Sequence, residues 1–440
     1  MDGYGKYSII GGNRLYGELS ISGAKNSAVA VIAAAMTVNG LCHIDNMPQV
    51  RDVEILLQIL QQLGAEIDVI GDGDYMIDCR NIDPDAAIDQ ELYGQLRASY
   101  YVLGALLGRF GHARVAMPGG CDFGTRPIDY HIKGFEALGA EVDIGGGWID
   151  ANAVDGLRGT RILLDYPSVG ATINIILAAI YAEGLTIIEN AAMEPHIVDF
   201  ANCLNAMGAE VRGAGTNSIR IYGVNELRGG SYTIVPDQIE AGTYIALVAG
   251  TGGDVIVRDV IPRHLVCITS KLSEMGVEIE DLGDAVRVRR EGRPIRRANV
   301  MTGPYPGFPT DMQPQVATLL TLARGTSFVT ETVWDSRFQY VDQLQRMGAK
   351  ITTDARTAVI EGVGRLKAAS IAATDLRSGA AMVIAGLCAD GTTLLDNIWH
   401  IERGYGNIIA KLGEIGADIT RVVDAPRNLI ELRTHRESVA

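Results

Sequence analysis

The sequence predicts an α/β protein of two similar globules, each built from three copies of one unit that wraps sheets around buried helices. Two observations carry that prediction, and a length of 440 residues, enough for two full-sized cores, agrees with it. The first is a signature that recurs six times: Leu63-Gly64-Ala65-Glu66, Leu138-Gly139-Ala140-Glu141, Met207-Gly208-Ala209-Glu210, Met275-Gly276-Val277-Glu278, Met347-Gly348-Ala349-Lys350 and Ile415-Gly416-Ala417-Asp418. Its glycines stand about 70 residues apart throughout, the spacing of a repeated supersecondary unit. The second is a run of small apolar residues upstream of each signature. These runs are apolar on nearly every face, which calls for burial on all sides.

The first copy sets the order of elements. A strand over 15–21 is followed by Ser22-Gly23-Ala24-Lys25, where the chain is expected to cross between globules. The apolar run 28–36 predicts an inner helix, 41–45 a strand, and 52–63, apolar at helical spacing, an amphipathic helix. That helix ends on the signature, with Gly64 placed where a left-handed backbone is cheapest for glycine. Residues 66–70 then alternate as a strand does. Matching copies run over 171–188, 241–257 and 379–395. The stretch Tyr232-Thr233-Ile234-Val235-Pro236-Asp237, where the third unit gives way to the fourth, reads as a linker. The expected domains are therefore 25–235, and 1–24 together with 236–440, the first strand closing the second globule. Two crossings predict a hinge and a cleft.

A formal net charge of −15 argues against nucleic acid or an anionic membrane as a partner. An anionic ligand would need a local basic pocket on an acidic molecule. No apolar run reaches the length of a bilayer, and Met1-Asp2-Gly3-Tyr4-Gly5-Lys6 lacks a signal-peptide pattern. The six cysteines include no Cys-x-x-Cys pair, so neither a zinc site nor a disulfide framework is indicated and the cytoplasm is the expected compartment. Cys42, Cys79, Cys203, Cys267 and Cys388 read as small buried hydrophobes. Walker loop, dinucleotide fingerprint and metal-ligand spacing are absent, so neither cofactor nor metal is expected.

The sixth cysteine stands apart. Met117-Pro118-Gly119-Gly120-Cys121-Asp122-Phe123-Gly124-Thr125-Arg126-Pro127 sets a lone thiol five residues before an arginine in a glycine-rich, proline-bounded loop. A neighbouring arginine stabilises a thiolate, although a structural cysteine in a strand-to-helix turn has the same look. The equivalent loop of the other units carries Arg51-Asp52, Glu194-Pro195-His196, Arg263-His264, Arg337, and the residues from His400 to Arg403. Such loops should share one rim of each globule, where helix N-termini add donors suited to phosphate or carboxylate. Lys25-Asn26 lies at the suspected hinge. Arg97 in Leu96-Arg97-Ala98-Ser99 is a cleft-facing cation or a solvated first-turn residue. Asp311 in Pro309-Thr310-Asp311-Met312 is an N-cap or a functional carboxylate, and Asp375 and Arg377 are candidates to pair with each other.

Taken together these residues resemble the UDP-N-acetylglucosamine 1-carboxyvinyltransferase family, enolpyruvyl transferases that begin bacterial peptidoglycan synthesis. The likeness runs essentially end to end. It rests on Ser22-Gly23-Ala24-Lys25-Asn26, Arg97-Ala98-Ser99, Pro118-Gly119-Gly120-Cys121, Gly124-Thr125-Arg126-Pro127, Ser168-Val169-Gly170-Ala171-Thr172, Phe308-Pro309-Thr310-Asp311-Met312-Gln313, Asp375-Leu376-Arg377 and Arg403-Gly404-Tyr405. The related shikimate-pathway enolpyruvyl transferase shares the fold but lacks the cysteine loop. The resemblance implies two inverse α/β barrels of three repeats each, with the active site in the cleft between them.

It also implies the chemistry: the enolpyruvyl group passes from phosphoenolpyruvate to the 3-hydroxyl of UDP-N-acetylglucosamine, by addition then elimination of phosphate, with domain closure. By the same resemblance Cys121 protonates the methylene carbon and can form a covalent adduct, and Asp311 is the base on the sugar hydroxyl. Lys25, Asn26, Arg126, Arg377 and Arg403 would surround phosphoenolpyruvate, Lys25 and Arg403 also counting as catalytic. The UDP-sugar would lie along Asn26, Arg97, Arg126, Pro127, Ile128, Asp129, Tyr130, Ser168, Val169, Gly170, Asp311 and Val333. Each cation about 4 Å from an anionic oxygen contributes roughly 4 kcal/mol at an effective dielectric near 20, so several must converge to draw such ligands out of water. Tyr166-Pro167 falls in a segment that varies in the family, and His196 stands where the resemblance calls for an acidic residue. Small-molecule substrates, not nucleic acid or membrane, are the expected partners. A silent regulatory paralogue, the shikimate-pathway enzyme and a ring-shaped clamp are the alternatives. A clamp would line a hole with lysines and arginines, whereas here basic residues gather in loops beside carboxylates.

Overall fold

The computed structural model describes residues 5–117 and 128–422. Among them, helices Lys25–Thr37, Tyr101–Phe110, Val169–Ala179, Gln238–Thr251, Gln313–Thr321 and Leu376–Cys388 are the inner helices of the six units. Residues 27–37 of the first and 239–250 of the fourth are buried without a break. Helices built almost wholly of apolar and small residues, with no charge in mid-helix, satisfy such an environment. The first three pack on one another, and so do the last three.

The apolar side chains form two separate clusters. One runs from Ala24 to Ile234; the other joins Tyr7, Ile9, Leu15, Leu19 and Ile21 to residues between Ile239 and Ile419. Outside each helix trio lie sheets. In the first unit Leu41–Asp45 pairs antiparallel with Asp74–Asp78, with Leu41 opposite Asp78, and Glu66–Gly71 completes the hairpin. A strand from elsewhere in the chain then adds in parallel: Ser231–Thr233 beside Leu41–Asp45, and Leu15–Ser20 beside Gly253–Arg258. An amphipathic helix precedes each signature, and all six signature glycines take positive φ, between +86° at Gly416 and +103° at Gly208.

The strand expected over 15–21 is Leu15–Ser20, but it is not the first. Lys6–Ile10 precedes it and pairs antiparallel with both Thr392–Asp396 and Asp418–Val422. It fills the place that the second hairpin strand holds in the other sheets, so the sixth unit is completed by a strand that precedes the first unit.

Between the two clusters the chain passes twice, and the two passes are bonded side by side. Gly23 bridges Pro236, the Ala24 N–H donates to the Val235 carbonyl at 2.7 Å, and the Asp237 N–H donates to the Ser22 carbonyl at 2.9 Å. Lys411 Nζ fastens them from the second cluster, reaching Ser22 Oγ and Glu240 Oε1, each at 2.7 Å. Cys42, Cys79 and Cys203 are buried as expected. Cys267 and Cys388 are only partly so, because one lies on the amphipathic helix Pro262–Glu274 and the other ends the sixth inner helix, where the core runs out. Among the described residues no helix is long and apolar enough to cross a membrane.

Candidate active site

The N-terminal ends of the inner helices bring the site together. Lys25 opens the first inner helix, and its backbone N–H donates to Asp237 Oδ2 at 3.0 Å, so the carboxylate that caps the fourth inner helix also anchors the first. Gly404 lies against the lysine stem: a Cβ there would meet Lys25 Cδ at 3.1 Å and Leu376 Cδ2 at 2.7 Å. Lys25 Nζ reaches Asp52 Oδ2 at 3.1 Å, and Arg403 Nε reaches Asp52 Oδ1 at 2.9 Å. Asp52 comes from the first apolar cluster's side and Arg403 from the second's, so this triad spans the two. Burial alone would raise the Asp52 carboxyl, but Lys25 and Arg403 outweigh it and hold the group below the usual carboxylate range.

A second carboxylate is clamped the same way. Asp311 Oδ2 accepts from Arg377 Nε at 3.1 Å, and Oδ1 from Arg337 Nη2 at 3.2 Å. Both arginines are almost wholly buried, at 4% and 3% exposure, while the Asp311 side chain keeps 29%, so the carboxylate is the accessible end of the cluster. Burial again opposes ionisation, and Arg377, Arg337 and Lys25 together win, holding Asp311 well below the usual carboxylate range. Asp311 does not cap its helix. Thr310, its neighbour, donates to the fully buried Glu331, which also accepts from Thr302 and from the Val333 N–H, and this locks the turn that presents Asp311.

Asp375 and Arg377, candidates to pair, do not. Asp375 Oδ1 caps the sixth inner helix by accepting from the Arg377 and Ser378 N–H groups, which frees the Arg377 guanidinium for Asp311 and for Tyr405 Oη at 3.2 Å. Arg97 lies in a 3-10 turn before its helix, its guanidinium 5.4 Å from the centre of the Trp334 ring, and so belongs to the junction rather than to solvent. Tyr305 N–H donates to Glu194 Oε1 at 3.4 Å across the same junction.

The remaining sequence candidates divide. Asn26 follows Lys25, partly exposed, in the first helical turn. Ser168 caps the third inner helix through the Ala171 N–H at 3.3 Å, with Val169 and Gly170 in its first turn. Ile128, Asp129 and Tyr130 open the helix Asp129–Ala137. Cys121, Arg126 and Pro127 lie outside the described residues. Arg51 turns to the surface and pairs with Glu54. Sequence reasoning gave Asp52 and Arg337 no role and missed Trp334 and Glu331. Their signal was position: Glu331, Trp334 and Arg337 fall in the loop between strand and amphipathic helix, and Asp52 in the first turn of the helix Arg51–Gln62 that follows such a loop. His196 is partly buried, its Nε2 has no hydrogen-bond partner among the described residues, and desolvation pushes it down to about 4, so the imidazole is neutral.

With this geometry in hand, comparison defines the class. The EPSP synthase family model, 3-phosphoshikimate 1-carboxyvinyltransferase, matches residues 9–412. The fold is also that of the enolpyruvyl transferase NikO from Streptomyces tendae, with a TM-score of 0.86 at 27% identity over 95% of this chain and 99% of that one. EPSP synthase from Acinetobacter baumannii has the same fold, with a TM-score of 0.74 at 20% identity over 94% of this chain and 99% of that one. UDP-N-acetylglucosamine 1-carboxyvinyltransferase 3 of Caldanaerobacter subterraneus subsp. tengcongensis is 54% identical over 95% of this chain and 99% of its own length. The UDP-N-acetylglucosamine 1-carboxyvinyltransferase of Clostridium botulinum is 53% identical over 95% of this chain and 100% of its own length. The chain belongs to the UDP-N-acetylglucosamine 1-carboxyvinyltransferase family, within the wider class of enolpyruvyl transferases.

Proposed function

We propose that this protein transfers the enolpyruvyl group of phosphoenolpyruvate to the 3-hydroxyl of UDP-N-acetylglucosamine and releases phosphate. The observation that carries the reading is the convergence of Lys25, Arg403, Arg377 and Arg337 on two carboxylates where the two apolar clusters face each other. A chain of net charge −15 has no need of that arrangement for solubility. It suits a ligand carrying both phosphate and carboxylate.

In the reaction the sugar O3 bonds to C2 of the enol while the methylene carbon takes a proton, giving a tetrahedral phospho-intermediate. Loss of a proton from the new methyl group then expels phosphate. Asp311 is the base on the sugar hydroxyl and Cys121 the acid toward the methylene. Held between two guanidiniums, Asp311 is ionised throughout the neutral range but weakly basic. An incoming anion that draws Arg377 away restores its basicity as the substrates bind. Arg126 and Asn26 complete the phosphoenolpyruvate site, and Arg97, the 127–130 segment, the 168–170 segment and Val333 line the UDP-sugar.

The test is phosphate release from phosphoenolpyruvate with UDP-N-acetylglucosamine, with shikimate 3-phosphate, and with neither. Release with the UDP-sugar alone is expected. Release with shikimate 3-phosphate would reassign the acceptor, and no release with either would mark a silent paralogue. Cys121→Ser should abolish adduct formation and slow turnover, and Asp311→Ala should abolish turnover with both ligands still bound.

A further inference from the structure

The three inner helices of the second cluster present their N-terminal ends to the candidate active site, through Asp237, Asp311 and Asp375. Their other ends meet a second concentration of positive charge. A hollow of about 410 Å³ is lined by Arg14, Arg290, Arg293, Arg324 and Arg365, together with the Thr251-Gly252 end of the fourth inner helix. That volume falls within the range of small-molecule sites. The fourth inner helix, 14 residues long, separates it from Asp237 by roughly 21 Å at 1.5 Å per residue.

Capping accounts for one of the five arginines. Arg290 donates through Nε to the Ala249 carbonyl at 2.5 Å and through Nη2 to the Gly250 carbonyl at 2.7 Å, closing the end of the fourth inner helix. The others exceed that need. Arg365 has Asp390 at 3.3 Å, both largely exposed, and Arg293 has Glu278 at 3.8 Å, a carboxylate already taken by Arg289 at 2.6 Å. Such pairs contribute little. Among the described residues Arg14 and Arg324, both exposed, have neither a side-chain hydrogen bond nor a carboxylate partner. Arg290 is also pushed down, by burial first and then by repulsion from Arg14. Five guanidiniums crowd one depression of a strongly acidic chain.

We propose that this hollow binds a small compound carrying two or more phosphate groups, at a site separate from the candidate active site. Guanidinium forks take phosphate oxygens two at a time, and a ring of five matches several phosphates better than one carboxylate. The arginines line one half-open hollow instead of forming a stripe, so the ligand is a free small molecule and not a nucleic acid.

Calorimetric titration of the whole protein with inorganic tripolyphosphate at low salt is the test. Saturable binding is expected, and it should persist in Arg377→Met, which alters the candidate active site. It should weaken at least tenfold in Arg14→Gln/Arg324→Gln and recover part of that loss, the share owed to charge alone, in Arg14→Lys/Arg324→Lys. Because neither side chain is bonded among the described residues, the glutamine variant should keep its ligand-free melting temperature and its rate of phosphate release. If it melts early, the single changes Arg324→Gln and Arg324→Lys make the same comparison. Absence of saturable binding to the unaltered protein overturns the assignment. So does binding that is lost in Arg377→Met and retained in the glutamine variant.

Discussion

Asp52 and Asp311 are each gripped by two cations, and each carboxyl lies below its ordinary value for that reason. The sign of the consequence is fixed. The pairing stabilises the fold above about pH 4, where an unfolded carboxyl would be ionised, and the gain is lost as pH falls through the lower folded value. Removing a cation should move the value back up. Arg337→Met should therefore shift the acid limb of the kcat/KM profile for phosphate release upward, visible in a pH–rate series. Asp52→Asn leaves Lys25 and Arg403 without their tether, and kcat/KM for phosphoenolpyruvate should fall about tenfold to a hundredfold, with a stability loss of roughly 3 kcal/mol in urea unfolding. The motifs showed that Lys25, Arg377 and Arg403 were cations near one end of the fold, but they did not show what each would touch. Asp375 stands two residues from Arg377 yet its Oδ1 takes backbone N–H groups and its Oδ2 the Thr374 hydroxyl, while the guanidinium goes to Asp311, 66 residues away. Pairing across such distances depends on where helix ends meet in space, which local sequence does not encode.

At the level of elements, the inner helices were legible because apolarity on every face has one structural meaning. The contact between them is less plain in the sequence. Asn174 lies fully buried in the third inner helix and joins three elements: its Oδ1 accepts from the Gly104 N–H at 3.0 Å, and its Nδ2 donates to the Tyr100 carbonyl at 3.0 Å and lies 2.9 Å from His131 Nδ1. Gly104 permits the approach, since a Cβ there would fall 2.4 Å from Asn174 Oδ1. Asn174→Leu should cost about 2–4 kcal/mol by leaving buried groups unsatisfied, and Gly104→Ala about 1–3 kcal/mol by forcing the helices apart, both measurable by urea unfolding. Lys6–Ile10 escaped the sequence reading for a physical reason. It is five residues long, and only Tyr7 and Ile9 face inward. Its identity as a strand comes from partners near the other end of the chain.

For the molecule as a whole, acid sensitivity should come from histidines as well as carboxylates. His196 is held down to about 4 by burial, so between pH 6.5 and 4 the unfolded chain binds a proton that the folded one refuses, and stability falls as pH falls through that window. His196→Gln should flatten that part of a stability-versus-pH curve by up to roughly 3 kcal/mol. The strand pairing of Lys6–Ile10 with Asp418–Val422 bears on how the protein is made. That segment leaves the ribosome roughly 400 residues before the strand it must lie beside, at a synthesis rate of about 5–20 residues per second. Through most of translation the first half can assemble, while the opening strand remains an unclaimed edge. A nascent chain stalled before residue 392 should therefore protect 25–235 from protease and leave the amino-terminal segment open to cleavage, the last-made strands acting as the latch for the first.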